Sequence, residues 1–304
     1  MNKVTTNNTV SVIIPCTDRV EGLEKCLQSV INQKCNCDIE IILVENNSKD
    51  RTLIPDLVEK INSSYLKHYY MDECENANWA RNYGVDVSRG NYIAYLDSDD
   101  WWDNCHIQNS LDLMVSGTYA LYSSYIVDNG KFQKTKQSYD IKSISPYEFL
   151  FGKNAGVAQT SSFFLDRTVF DTVRWDNDLK RSQDYDFFIM VQKSIGWTYN
   201  PNSNVIVYWE EGAVRTISTP AFEMFLDKHE NMMSKNELAQ YLSEISKAVA
   251  EKSKIDFIKF KKRLEPVFSY LSLKDRLILK NYFTVSLYIK LRDKFRSLKA
   301  IISS

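Results

Sequence analysis

The chain has 304 residues, 44% apolar, with 18 Tyr, 15 Phe, 6 Trp and only three His. That length and composition fit one large globular domain, or one domain with an appendage, and exclude a disordered or fibrous chain. Net charge is −1 but uneven: 252–304 carry 14 Lys+Arg against 4 Asp+Glu, a net +10 on a body of −11. Such a tail points to an anionic partner, a membrane surface or a nucleic acid. The six cysteines form no C-x-x-C pair, which with three histidines argues against a zinc site. Met1 to Thr9 is polar and no run approaches the ~18–20 apolar residues of a spanning helix, so a cytoplasmic chain with reduced thiols is expected.

Val10 to Ile14 is a β-branched run stopped by Pro15 and reads as a buried strand. Leu23, Cys26, Leu27, Val30 and Ile31 follow at helical spacing. Ile39 to Val44 is the next strand, and Ser48 or Asp50 can cap a helix carrying Leu53, Leu57, Val58 and Ile61. Tyr65 to Tyr70 reads as extended, Ala80 to Val87 as helical and Tyr92 to Leu96 as a strand. This alternation predicts an α/β fold with a mostly parallel sheet flanked by helices. No G-x-G-x-x-G or Walker A loop follows the first strand, so dinucleotide and P-loop readings lack their phosphate cradle. Short strands and helices mix from Thr118 to about Thr219, and from Ala221 onward the pattern is helical and increasingly basic.

The strand Tyr92 to Leu96 ends in Asp97-Ser-Asp-Asp100, with Trp101 and Trp102 behind it. In an extended segment residues i and i+2 point the same way, so Asp97 and Asp99 aim at one spot beyond the strand end. Two carboxylates converging there repel unless a cation intervenes. A hard divalent ion held by one or two carboxylates and completed by diphosphate oxygens resolves that repulsion.

Four pieces line up in order: Val10-Ser-Val-Ile-Ile-Pro15; Ile42-Leu-Val-Glu-Asn-Asn-Ser48; Ala80-Arg-Asn-Tyr-Gly84 with Gly90-Asn-Tyr-Ile-Ala-Tyr-Leu-Asp-Ser-Asp-Asp100; and Arg181-Ser-Gln-Asp-Tyr-Asp-Phe-Phe188. In this order and spacing they resemble the family 2 inverting glycosyltransferases of GT-A fold, over roughly residues 10 to 220. The resemblance implies a catalytic domain over 1–220 and a basic helical extension over 221–304. It implies transfer of a hexose from a nucleoside-diphosphate sugar, UDP-sugar favoured, to a hydroxyl of a glycan or lipid-linked glycan, with Mn²⁺ or Mg²⁺ as cofactor. Glu45, Asn46 and Ser48 would meet the nucleobase, Arg81 the diphosphate or base and Asp97 the ribose side, with Pro15 and Ser98 also binding the sugar nucleotide. Asp99, with Asp97, would hold the metal, and Asp184 would be the catalytic base. Asp186 could raise the pKa of Asp184, and a helix N-terminus would lower it; alternatively Ser182, Asp184 and Asp186 cap a helix.

The chain departs from the family pattern in three places. Asn46 stands where an acidic residue is usual, although its amide oxygen can still accept from a pyrimidine imide N–H. Asn47 stands at a Gly-like position, which asparagine tolerates. No His follows the last core strand, where Glu210, Glu211 or Arg215 could substitute. Two other readings are a non-catalytic sugar-nucleotide-binding scaffold and a sugar-phosphate nucleotidyltransferase; against the second, Pro15-Cys-Thr-Asp-Arg19 has no Gly. Trp101 or Trp102 could floor a sugar, with buried packing expected for at least one. The apolar stripe Leu277, Phe283, Leu287, Leu291, Phe295 and Leu298 could lie on an anionic membrane, placing the chain peripherally on the inner face, or pack on the catalytic domain or a second subunit. No nucleic-acid partner is expected, because the body is acidic and no reader motif is present.

Overall fold

The computed structural model describes residues 8–18, 20–72, 76–202, 205–209 and 219–302, with the side chains of 296–302 excepted. The chain divides into two compact units, one of residues 1–146 with 156–211, the other of 147–155 with 212–304.

The first unit begins with alternating strands and helices: β1 (Thr9–Cys16), α1 (Leu23–Ile31), β2 (Asp38–Asn46), α2 (Leu53–Ile61), β3 (Leu66–Met71), α3 (Ala77–Val87) and β4 (Tyr92–Tyr95). It continues through β5 (Trp101–Trp102), α4 (His106–Leu111), β6 (Ala120–Ser123), β7 (Tyr125–Asp128) and β8 (Gln133–Lys136). Helix α5 (Pro146–Phe151) falls almost wholly in the second unit. The first unit then closes with β9 (Phe164–Asp166), α6 (Gln183–Ser194), β10 (Thr198–Asn200) and β11 (Val205–Tyr208).

Among the described residues seven strands form one sheet in the order β10-β6-β9-β4-β1-β2-β3. Strands β1 to β4 are mutually parallel, and β9 runs antiparallel between β4 and β6. A smaller sheet has the order β5-β11-β7-β8. Val10, Val12, Ile13 and Ile14 are fully buried, so β1 is covered on both faces. Each such side chain stabilises the fold by roughly 1.5–3 kcal/mol relative to exposure.

The parallel register puts the ends of three strands on one edge. Pro15 and Cys16 lie beside Val44 and Glu45, and Ile13 lies beside Tyr95, two residues short of Asp97. The predicted strands are all present. Helix α3 starts three residues earlier than expected, because the Asn76 side chain accepts the Asn78 N–H at 2.8 Å and caps it. Neither Ser48 nor Asp50 caps α2. Thr52 holds that position, and Asp50 Oδ1 instead accepts from the Thr52 N–H (2.9 Å) and hydroxyl (2.8 Å) in a turn.

Gly84 lets α3 approach β1. A Cβ there would lie 2.5 Å from Cγ2 of Ile13, a fully buried side chain. Gly84→Ala should therefore destabilise, because overpacking of about 1–3 kcal/mol exceeds the ~1 kcal/mol of helix propensity gained. A lower urea midpoint at unchanged m-value is the expected readout, and an unchanged midpoint would show that Ile13 yields freely.

The second unit is helical: α7 (Thr219–His229), α8 (Lys235–Ala250), α9 (Lys254–Leu264), α10 (Leu273–Ile278) and α11 (Tyr282–Ile302), with Tyr147–Ala155 joining them. A full capping box between Ser234 and Glu237 starts α8. Tyr147 meets His229 Nδ1 through its hydroxyl at 3.0 Å, and Phe151 packs on Phe225 and Tyr241. None of the described helices is long and apolar enough to cross a membrane.

Candidate active site

Asp97 follows β4, and its half-buried carboxylate accepts from Arg81 Nη2 at 2.7 Å. Arg81 comes from α3 and is almost fully buried. Its Nη1 donates to Asn78 Oδ1 at 3.1 Å, and its guanidinium sits 4.5 Å over the Trp175 ring. The Arg81 Nε is buried with no hydrogen-bond partner among the described residues. Trp175 in turn stacks on Phe187 of α6 with ring centroids 4.1 Å apart. The Asn78 amide donates to the carbonyls of Asp176 (2.6 Å) and Leu179 (3.1 Å), and that of Asn82 donates to Trp175 (2.9 Å). These bonds fix the segment that leads into α6 and place its first turn over the end of β4.

Asp184 sits in that first turn. It lines a cavity of about 200 Å³ with Arg81, Asp97, Gln159, Thr160, Lys180, Arg181, Ser182 and Gln183. Burial pushes its carboxyl up to about 6, against the pull of the Tyr185 N–H and the Arg81 charge, while the Asp97 charge adds to the rise. Its Oδ1 accepts the Tyr185 N–H at 3.0 Å. Ser182 is the N-cap in a left-handed conformation (φ 55°), without a side-chain capping bond. Asp186 is buried and its N–H donates to the Ser182 carbonyl at 2.9 Å.

Asp100 is buried. It accepts from the Ser161 hydroxyl (2.6 Å), Gln159 Nε2 (3.0 Å) and the Tyr208 N–H (3.0 Å). Ser161 Oγ also accepts the Asp97 N–H at 3.0 Å, so one serine latches both ends of the acidic turn. Burial, then the charges of Asp97 and Asp99, push Asp100 well above the usual carboxylate range, while the Ser161 and Tyr208 bonds oppose this. Ser98 and Asp99 are half-buried beside it. The turn thus gathers three carboxyl groups within four residues. Among the described residues no three His, Cys, Asp or Glu form a metal cage. A donor set of one or two carboxylates fits a hard cation that takes its remaining oxygens from a diphosphate and water.

The end of β2 is tied to that of β1. Ser48 Oγ accepts the Asp18 N–H at 3.1 Å, and Asp18 Oδ1 accepts the Lys49 N–H at 2.6 Å. Asn47 adopts the left-handed conformation (φ 55°) expected of a Gly-like position. Glu45 is fully buried; its Oε2 meets His68 Nε2 at 2.8 Å and its Oε1 has no partner among the described residues. Asn46 is half-buried and Pro15 is buried at the same edge.

The structure therefore gathers Arg81, Asp97 and Asp184 around one cavity, and sets Pro15, Glu45, Asn46, Ser48, Ser98 and Asp99 on the same sheet edge outside its lining. Glu210, Glu211 and Arg215 lie outside the described residues. Trp102 is buried, stacks on His106 and donates its indole N–H to the Ser161 carbonyl at 2.7 Å; packing is its role. The Lys25 ammonium covers the Trp101 ring at 3.1 Å. Sequence reasoning missed Trp175, Gln159, Ser161, Asp18 and His68. For Asp18 a signal existed, a short-chain acid directly beyond the strand-ending Pro15.

The model for glycosyl transferase family 2 matches residues 11–174. The chain belongs to glycosyl transferase family 2. Among relatives of this family, the amylovoran biosynthesis glycosyltransferase AmsB of Erwinia amylovora is 31% identical over 60% of this chain and 64% of its own. WfaP of Escherichia coli, named as a UDP-Glc:α-D-GlcNAc-diphosphoundecaprenol β-1,3-glucosyltransferase, is 32% identical over 39% of this chain and 47% of its own. The chain thus matches about two thirds or less of these two relatives' lengths. A crystal structure of Staphylococcus aureus TarS 1–349 with UDP-GlcNAc superposes with a TM-score of 0.67 at 16% identity, covering 95% of this chain and 92% of that one. The family 2 chain thus has the GT-A fold that its sequence implied, a mostly parallel sheet flanked by helices with C-terminal helices following.

Proposed function

We propose that this protein is a metal-dependent inverting glycosyltransferase that moves a hexose from a nucleoside-diphosphate sugar to a hydroxyl of a glycan or lipid-linked glycan, in bacterial surface polysaccharide synthesis. The observation that carries the reading is the grouping of the Arg81–Asp97 pair and the raised carboxyl of Asp184 around one cavity at the carboxyl ends of parallel strands, where α/β sheets bind ligands. The named activity of WfaP and the UDP-GlcNAc bound to TarS support a UDP-sugar donor and a lipid-diphosphate acceptor.

In this reading Arg81 holds the diphosphate, its spare Nε donor finding an oxygen. Asn46 accepts the imide N–H of the base, and Asp97 and Ser98 meet the ribose side. Asp99, with the free oxygen of Asp97, holds Mn²⁺ or Mg²⁺, which when bound neutralises the departing diphosphate. Asp184 takes the acceptor hydroxyl proton as that oxygen bonds to the anomeric carbon. The bond to the diphosphate oxygen breaks on the opposite face, and the configuration inverts. Work on a lipid-linked acceptor would bring the chain, read as cytoplasmic, to an anionic membrane surface through its basic tail.

A thermal-shift screen of UDP-, GDP- and dTDP-sugars, each with and without Mn²⁺, tests the donor. A ligand that binds only the folded chain raises its melting temperature by mass action. The expected result is a Mn²⁺-dependent rise with a UDP-sugar. No rise with any sugar nucleotide would overturn the reading.

A further inference from the structure

The second unit carries a face that the transfer chemistry does not use. Helix α11 buries Val285 and Ile289, which lie one turn apart. On its other side Phe283, Leu287, Leu291 and Phe295 are exposed, Phe283 at 75%. Successive members lie four residues apart and drift slowly around the helix, and Lys290 and Lys294, seven residues after Phe283 and Leu287, fall on the same face.

Beside Phe283 a groove of about 720 Å³ runs between α9 and the start of α11. Lys254, Lys261, Lys262 and Lys280 line it with Ile258 and Tyr282, against a single carboxylate, Glu265. Three other basic residues of these helices are matched: Lys259 pairs with Glu223, Arg263 with Glu230, and Arg292 with Glu251. Among the described residues no carboxylate lies within ion-pair distance of the groove lysines, and the charge of Glu265 acts on Lys261. Lys261 lies 3.4 Å over the Phe268 ring, and Lys254 lies 5.9 Å from that of Tyr282. Ile255 and Ile258 extend the exposed apolar surface on α9.

We infer that this groove and the exposed face of α11 form a docking surface for an anionic phospholipid bilayer. The lysines of the groove receive headgroup phosphates, and Phe283, Leu287 and Leu291 enter the boundary of the acyl chains. Charge complementarity selects this occupant. A protein partner would suit the apolar stripe alone, whereas unpaired ammonium groups interleaved with apolar side chains suit the headgroup–acyl boundary of a bilayer. The inference deepens the membrane clause of the proposed function, and its test reads vesicle binding, separately from donor binding.

The experiment is co-sedimentation of the full chain with vesicles of phosphatidylglycerol and phosphatidylcholine, or of phosphatidylcholine alone, at low and high salt. Binding is expected to the anionic vesicles only, with release as salt screens the lysines. The double variant Lys262→Glu/Lys280→Glu should weaken binding by roughly 30-fold or more. Phe283→Ser should weaken it while keeping its salt dependence. All three side chains are exposed, so both variants should keep the wild-type melting temperature and the Mn²⁺-dependent donor shift. Should the lysine pair impair folding, Lys290→Glu/Lys294→Glu repeats the test on α11. The inference is overturned if the wild type stays in the supernatant with anionic vesicles, if folded variants sediment like wild type, or if a duplex RNA binds with the same salt dependence while vesicles do not.

Discussion

Asp184→Asn should lower sugar transfer by roughly 100-fold or more while donor affinity stays near wild type. The amide keeps the shape of the side chain and loses the proton acceptor. The pH profile gives a second reading. A base works deprotonated, so a carboxyl pushed up to about 6 predicts a rate that climbs as pH rises through 6 and levels above it. The variant should lose that limb. Stability should move the other way. The folded-state value lies above the ordinary 3.8, so ionising Asp184 costs nothing below that pH, and the full cost is present above about 6. At neutral pH the asparagine variant should thus melt no lower than wild type. Steady-state kinetics beside a melting curve check all three. Turnover and donor binding both near wild type would leave Asp184 a residue of the helix terminus and turn attention to Asp186.

Asp99→Asn should have its effect one step earlier. Donor binding that depends on Mn²⁺ should fall by at least roughly 100-fold, since even outer-sphere partners of a metal cost about 10–100-fold in affinity. The fold should persist, because Asp99 is half-buried and the latch between Asp97 and Asp100 runs through Ser161. Calorimetric titration of a UDP-sugar with and without Mn²⁺ measures it. Unchanged affinity in the presence of the metal would remove Asp99 from the site.

The strands were legible because their cause is local. Val10 to Ile14 and Ile39 to Val44 are short β-branched runs that suit buried strands, and Pro15 and the acids of 97–100 mark where the first and fourth strands stop. The start of α3 was not, because Asn76, Ala77 and Asn78 lack an apolar period and act through a capping bond. Ser161 and Trp175 were invisible for a different reason: they meet Asp97 and Arg81 across 64 and 94 residues of chain, and no spacing rule spans that. The α11 stripe was readable as helical but not as exposed. Val285 and Ile289 share its four-residue spacing, and only packing decides which of two apolar arcs faces inward. Likewise Pro146–Phe151 gave no sign of joining the second unit, since its partners Phe225, His229 and Tyr241 lie more than 70 residues on.

One consequence of the Trp175 ring concerns how errors propagate. Arg81 lies over that indole, and Phe187, three residues beyond Asp184, stacks on it. In the proposed mechanism the group that meets the phosphates and the group that takes the proton therefore share a single wall. Damage to the wall moves both, so a smaller residue at 175 should raise the KM for donor and lower kcat together. Damage at the end of β2, which touches neither, should raise KM alone. The two kinetic patterns would make it possible to sort variants of this protein by region before any of their structures is known.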